Sequence, residues 1–179
     1  YLFRLRQIDD LYGGRIQTLA SDAFNIAAAV KDADLLVGSV LIPGALTPKL
    51  VTEAMVKTMK PGSAIVDVAI DQGGCIEPTA KHGATYHDKP TFKYPVNGGE
   101  VVCYSVGNMP GAVARTSTFT LTNATMPYMV DLANKGWKKA CQDDKALARG
   151  INTYDGKVYF KGVSDALGYE LHCTCDILK

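Results

Sequence analysis

Three apolar runs set the limits on what this chain can fold into. "DLLVGSVLI" (34–42), "SAIVDVAI" (63–70) and "EVVCYSVG" (100–107) are almost continuously apolar, and each stops at glycine, proline or a carboxylate. Runs of this length, rich in Val and Ile, are the signature of strands buried on both faces of a sheet. They are far short of the roughly 20 residues a membrane helix needs.

Helix-period segments separate them. "LFRLRQIDDLYGG" reads as the second half of a helix ended by Gly13-Gly14, so the chain reads as a piece of a longer protein. "RIQTLA" (15–20) is predicted as a short strand, and Ser21-Asp22 caps a helix to about Lys31. Thr47-Pro48 opens "PKLVTEAMVKTM", which Lys60-Pro61-Gly62 stops. Strands alternating with helices over short connections predict an α/β fold with a parallel sheet.

After Pro110 the texture changes. "RTSTFTLTNATMPYMVDLANKG" predicts a long helix ending at Lys135-Gly136, and a second helix follows over "KKACQDDKALARG". "TYDGKVYF" reads as an Asp-Gly hairpin, and "VSDALG" as a helical turn capped by Gly168. A boundary is therefore placed near residue 109, giving domains 1–109 and 110–179.

Composition narrows the partners. The 179 residues carry 19 basic and 18 acidic side chains, a formal charge of +1, without the basic excess of a nucleic-acid binder. No nucleic-acid or membrane partner is expected. Five cysteines, an odd number spread through the chain, argue for free thiols in a reducing, cytoplasmic compartment. "HCTC" near the end supplies too few ligands at the wrong spacing for a structural zinc site, so no metal is expected.

The chemistry is expected where the runs end. "SVLIPGA", "AIDQGG" and "VGNMPGA" put glycine or proline at three strand ends, where parallel sheets bind ligands. Asp71 stands there with its carboxylate suited to proton transfer, or to capping its own turn. Asp67, inside the run, is the structural carboxylate, sharing a face with Asp71 only in a regular strand. His82, His87 and His172 lie in loop-like surroundings and read as solvated histidines. There is no Ser-His-Asp arrangement and no glycine-rich phosphate loop.

"LLVGSVLIPGALTPKLVTEAMVKTMKPGSAIVDVAIDQGGC" and "NMPGAVARTSTFTLTNATMPY" closely resemble the alanine dehydrogenase family, over nearly the whole chain. The resemblance implies the C-terminal half of an oxidoreductase that deaminates L-alanine to pyruvate and ammonia with NAD. It implies a Rossmann-type sheet, incomplete at its N-terminal side, then helices returning to a substrate domain, in a hexamer or dimer. It assigns Asp71 to catalysis. It assigns cofactor contacts to Arg4, Ser21, Val40, Leu41, Val68, Ala69, Ile70, Asp71, Val106, Gly107, Asn108 and Met109. Lys81 matches a basic cofactor-contacting position across a longer loop. Leu46 departs from a basic residue common in relatives, and Gly107 from an alanine. A dinucleotide-binding part of a proton-translocating transhydrogenase, and a nucleotide-binding module without catalysis, are the alternatives.

Overall fold

The computed structural model describes residues 2–42 and 46–179. Residues 2–41 and 46–107 form one compact unit, and Ile42 with residues 108–179 a second.

The first unit opens with α1 (Leu2–Tyr12) and α2 (Ala23–Asp32). Asp22 is the N-cap of α2, accepting from the Asn25 amide at 2.8 Å. The strands are β1 (Leu35–Gly38), β2 (Ala64–Asp67), β3 (Thr91–Val96) and β4 (Gly99–Tyr104). They lie in the order β1-β2-β4-β3. β1, β2 and β4 run parallel, with Gly38 beside Asp67 and Val66 beside Tyr104, so three carboxyl ends come together. A continuous core of Val30, Val56, Met59, Ile65, Ile76 and Val101 packs beneath them. The parallel α/β sheet expected from the apolar runs is the sheet observed.

Several elements differ from the sequence expectations. Residues 15–20 form no strand: without a neighbour to take its amides and carbonyls, an extended segment has no ladder. β1 has four residues and lies at a sheet edge, leaving Leu35 58% and Val37 52% exposed rather than buried on both faces. The helix expected from Pro48 is only α3 (Glu53–Val56), capped by Thr52. Thr47 instead sends its hydroxyl to the carbonyl of Gly74 at 2.8 Å, and Val51 bridges to Ile76, holding this stretch extended. β3 was not foreseen. It forms a hairpin with β4 across Asn97-Gly98, a turn pair the sequence displays.

The run 63–70 also divides. β2 stops at Asp67, and residues Val68–Gln72 wind into a 3₁₀ turn with Asp67 as its N-cap. Asp67 and Asp71 therefore do not share the face of one strand. α4 (Glu77–His82) follows.

In the second unit a 3₁₀ turn (Met109–Val113) leads into α5 (Ala114–Asp143), broken at Gly136, whose φ of 72° and ψ of 159° are not helical. The helix end expected at Lys135-Gly136 is thus a break in direction. α6 (Lys145–Ala148) is followed by the hairpin β5 (Thr153–Tyr154) and β6 (Lys157–Val158), turned by Asp155-Gly156. α7 (Lys161–Leu167) ends on left-handed Gly168. Cys173 and Cys175 are paired as a disulfide, a correction to the expectation of free thiols. Their α-carbons are 5.2 Å apart, within disulfide reach.

Gly74 shows how tightly the turn after β2 is built. Its φ is +72°, and a Cβ there would lie 2.8 Å from Asp67 Oδ2 and 3.3 Å from the Ala80 backbone. Gly62 has a similar φ of +83° with nothing near its missing Cβ. Thermal or urea unfolding should cost Gly62→Ala about 1–2 kcal/mol from conformation alone, and Gly74→Ala about 3 kcal/mol from conformation plus collision.

Candidate functional site

The site is built by what stops β2. Asp67, 0% exposed, ends the strand and turns its carboxylate back into the following loop. Oδ1 accepts from the Ala69 amide at 3.2 Å, and Oδ2 from those of Cys75 at 3.1 Å and Ile76 at 3.2 Å. The Thr79 hydroxyl donates to Oδ2 at 2.6 Å and the Cys75 thiol to Oδ1 at 3.6 Å. These bonds close the chain from 67 to 79 around one oxygen pair.

Outside the loop, Lys49 Nζ reaches the carbonyls of Gly73 at 2.5 Å and Gly74 at 2.6 Å. Thr47 Oγ1 lies on the same carbonyls' side, 3.2 Å from that of Gln72. The turn is therefore held from inside by a carboxylate and from outside by an ammonium and a hydroxyl.

Asp71 rides on this turn and is exposed. Its Oδ1 lies 3.0 Å from where a Cβ on Gly107 would stand, so the glycine leaves room for the carboxylate. Of the other assigned residues, Ala69 and Ile70 are buried beneath Asp71, and Val68 is on the surface. Val106 is buried and bridges to Thr85. Asn108, with a left-handed φ of 55°, and Met109 begin the second unit. Gln72 Oε1 is buried and has no hydrogen-bond partner among the described residues. An orphaned acceptor of this kind costs about 1–3 kcal/mol, and marks a place that a donor-bearing ligand or water completes.

A cleft of about 530 Å³ opens between α2 and β1 and includes Ser21, Ser39, Val40 and Asn25. Its size is that of a small-ligand site, about 300–1,000 Å³. One part is the apolar flank of the edge strand, with Leu35 and Val37 in its wall. The other lies at the carboxyl end of β1, where Ser21, Ser39 and Val40 supply polar and apolar atoms together. Leu41 is exposed outside this lining, and Arg4 on α1 bonds Gln7 at 3.0 Å. The structure brings Ser21 to Val40, and Val68–Asp71 to Val106–Gly107. Arg4 and Leu41 are not part of the cleft's lining.

Sequence reasoning missed Lys49 and Thr79, and took Thr47 for a helix cap. No local pattern marks them, because their partners lie 12 to 27 residues away. The remaining candidates are otherwise engaged. Lys81 pairs with Glu53 at 3.0 Å, and its bond to that carboxylate lowers the Glu53 pKa while its own rises. His82 stacks on Phe92, ring centres 3.7 Å apart. Among the described residues no group of three or more His, Cys, Asp or Glu is placed to hold a metal ion. None of the described helices is long and apolar enough to cross a membrane.

Parallel strands ending together, with the turn after β2 carrying a carboxylate, define an α/β protein of the kind whose ligands lie at the strand ends. Residues 2–161 match the family "Alanine dehydrogenase/PNT, C-terminal domain", and the chain belongs to that family. It is 98% identical over 178 residues to an alanine dehydrogenase of Bilophila wadsworthia (strain 3_1_6), covering 99% of this chain and 47% of that protein. It is 59% identical to the alanine dehydrogenase of Bacillus subtilis (strain 168), over 93% of this chain and 43% of the relative. A solved structure of L-alanine dehydrogenase superposes with a TM-score of 0.77 at 45% identity, covering 94% of this chain and 44% of its own. The chain thus spans about half the length of the curated relatives it matches.

Two thiols flank the site from below. Burial raises the Cys75 pKa, and burial in β4 pushes Cys103 up to about 11. Because the folded pKa exceeds the unfolded one, the Cys103 contribution is whole below about pH 9 and is lost as pH rises through about 11. Urea denaturation between pH 8 and 11 should lose on the order of 2 kcal/mol by this route, and the slope should flatten in Cys103→Ala.

Proposed function

We propose that this chain is the greater part of the nicotinamide-dinucleotide-binding half of an enzyme that deaminates L-alanine reversibly to pyruvate and ammonia. The observation that carries the reading is Asp71, a carboxylate held on a braced turn where three parallel strands end. Membership of the family, and the names of the relatives above, supply the reaction. The residues present fit such a cofactor. Ser21 and Ser39 offer hydroxyls beside an apolar wall that includes Val40, suited to the adenosine side. Val68–Asp71 with Val106 and Gly107 are assigned to the nicotinamide side.

NAD, when bound, supplies the hydride acceptor. The chain's own part is orientation and proton handling. The turn from Asp67 to Gly74 fixes Asp71, whose carboxylate takes a proton from the substrate ammonium or from the attacking water and returns one in the reverse direction. A Cβ at residue 107 would stand 3.0 Å from Asp71 Oδ1, so the glycine leaves the carboxylate its place. The apolar flank of β1 is proposed to be covered by the part of the longer protein that relatives carry beyond this chain.

NAD rather than NADP, a homo-oligomer (hexamer or dimer) and a cytoplasmic setting belong to the same reading. Exposed Phe119, Leu121, Met126 and Met129 on α5 support an apolar contact. The full-length protein should turn over L-alanine with NAD. Asp71→Asn should cut kcat by about 100-fold or more while the Kd for NAD stays within about threefold. Wild-type turnover in that variant would remove Asp71 from the mechanism.

A further inference from the structure

We infer that Asp67 and Thr79 form the positioning device of Asp71: the buried carboxylate and the hydroxyl bonded to it set where the carboxylate of Asp71 stands. This rests on the reading of Asp71 given above and adds two residues to it.

The argument starts from what a buried carboxylate needs. Asp67 is wholly out of water, so each lone pair must find a donor inside the protein. Three donors are backbone amides at 69, 75 and 76, on both sides of Asp71 in the chain. The Ala69 bond starts the 3₁₀ turn that carries Asp71, and the amides of Cys75 and Ile76 fix where the chain leaves it. Two further donors are side chains, the Cys75 thiol at 3.6 Å from Oδ1 and the Thr79 hydroxyl. The Thr79 hydroxyl lies 2.6 Å from Oδ2 and 2.9 Å from the Ile76 carbonyl, and its single proton goes to the closer, charged oxygen.

Thr79 is 0% exposed and sits in α4, so it ties the turn to a helix rather than to another loop. Gly74 lets the ring close, since any Cβ there would meet Asp67 Oδ2. Asp71 is therefore the exposed side chain of a turn whose interior is one hydrogen-bonded carboxylate. Rotation of that turn would require breaking the bonds of Asp67. Preorganisation of this kind converts into rate, because a reacting group misplaced by about 1 Å can cost on the order of 100-fold.

The test uses the full-length enzyme. Asp67→Asn removes the buried charge and turns donors against donors, so it probes stability as much as position. Thr79→Val decides the matter: it keeps the shape and leaves Asp67 its three amides, removing only the hydroxyl. The expected result is a kcat lowered roughly 10- to 100-fold with KM for NAD within about twofold, and recovery to within about twofold in Thr79→Ser. Val56→Ala, a core change in α3 away from the network, serves as the control: it should lower Tm and leave kcat as it was. Thr79→Val with wild-type kcat, or a kcat that falls equally in Val56→Ala at the same loss of Tm, overturns the inference and leaves Asp67 and Thr79 structural. Asp71→Asn, assayed beside them, separates the two failures. If Asp71→Asn turns over normally, the reading of Asp71 has failed. If it is inactive while Thr79→Val is unaffected, only the positioning has.

Discussion

The buried carboxylate of Asp67 is the interaction on which the rest of this site depends. It ends β2, starts the 3₁₀ turn, and gathers amides from 69, 75 and 76 with the hydroxyl of Thr79. A charge in that position is tolerable only when donors surround it, and the donors are available only if the chain doubles back. The shape of the loop and the solvation of one side chain are thus a single problem with a single solution. Lys49 and Thr47 then fasten the outside of the same loop, on carbonyls the inner network leaves to be satisfied.

From that solution the chemistry follows by elimination of freedom. Asp71 gains a fixed platform without being part of the buried network, so it remains at the surface while its backbone is tied down. Two aspartates four residues apart thus differ in setting, one buried in the network and one exposed on the turn it holds. The glycine opposite, at 107, leaves the space that a Cβ would take from the Asp71 carboxylate.

Much of this was legible in the residues. The apolar runs predicted the parallel sheet, because a strand covered on both faces by helices has no use for polar side chains. Asp-Gly at 155–156 predicted its hairpin, and Gly168 its helix end, because left-handed backbone is written locally. The structural role of Asp67 was also within reach. Asn97-Gly98 was equally plain and was passed over. What misled was reading each run as one element to its last apolar residue. Val68, Ala69 and Ile70 continue the composition of β2 but not its geometry, because the N-cap bond of Asp67 bends the chain first.

The sequence by itself determined the class of fold, the places where left-handed turns fall, and the candidate carboxylate, since these depend on patterns within about ten residues. Only the tertiary structure decided which strands pair, that β1 is an edge with Leu35 and Val37 uncovered, that residues 15–20 stay irregular, and that Thr47, Lys49 and Thr79 converge on one loop. The physical reason is range. Propensity and periodicity are properties of neighbours along the chain, whereas a buried charge recruits its donors from wherever the packed chain brings them.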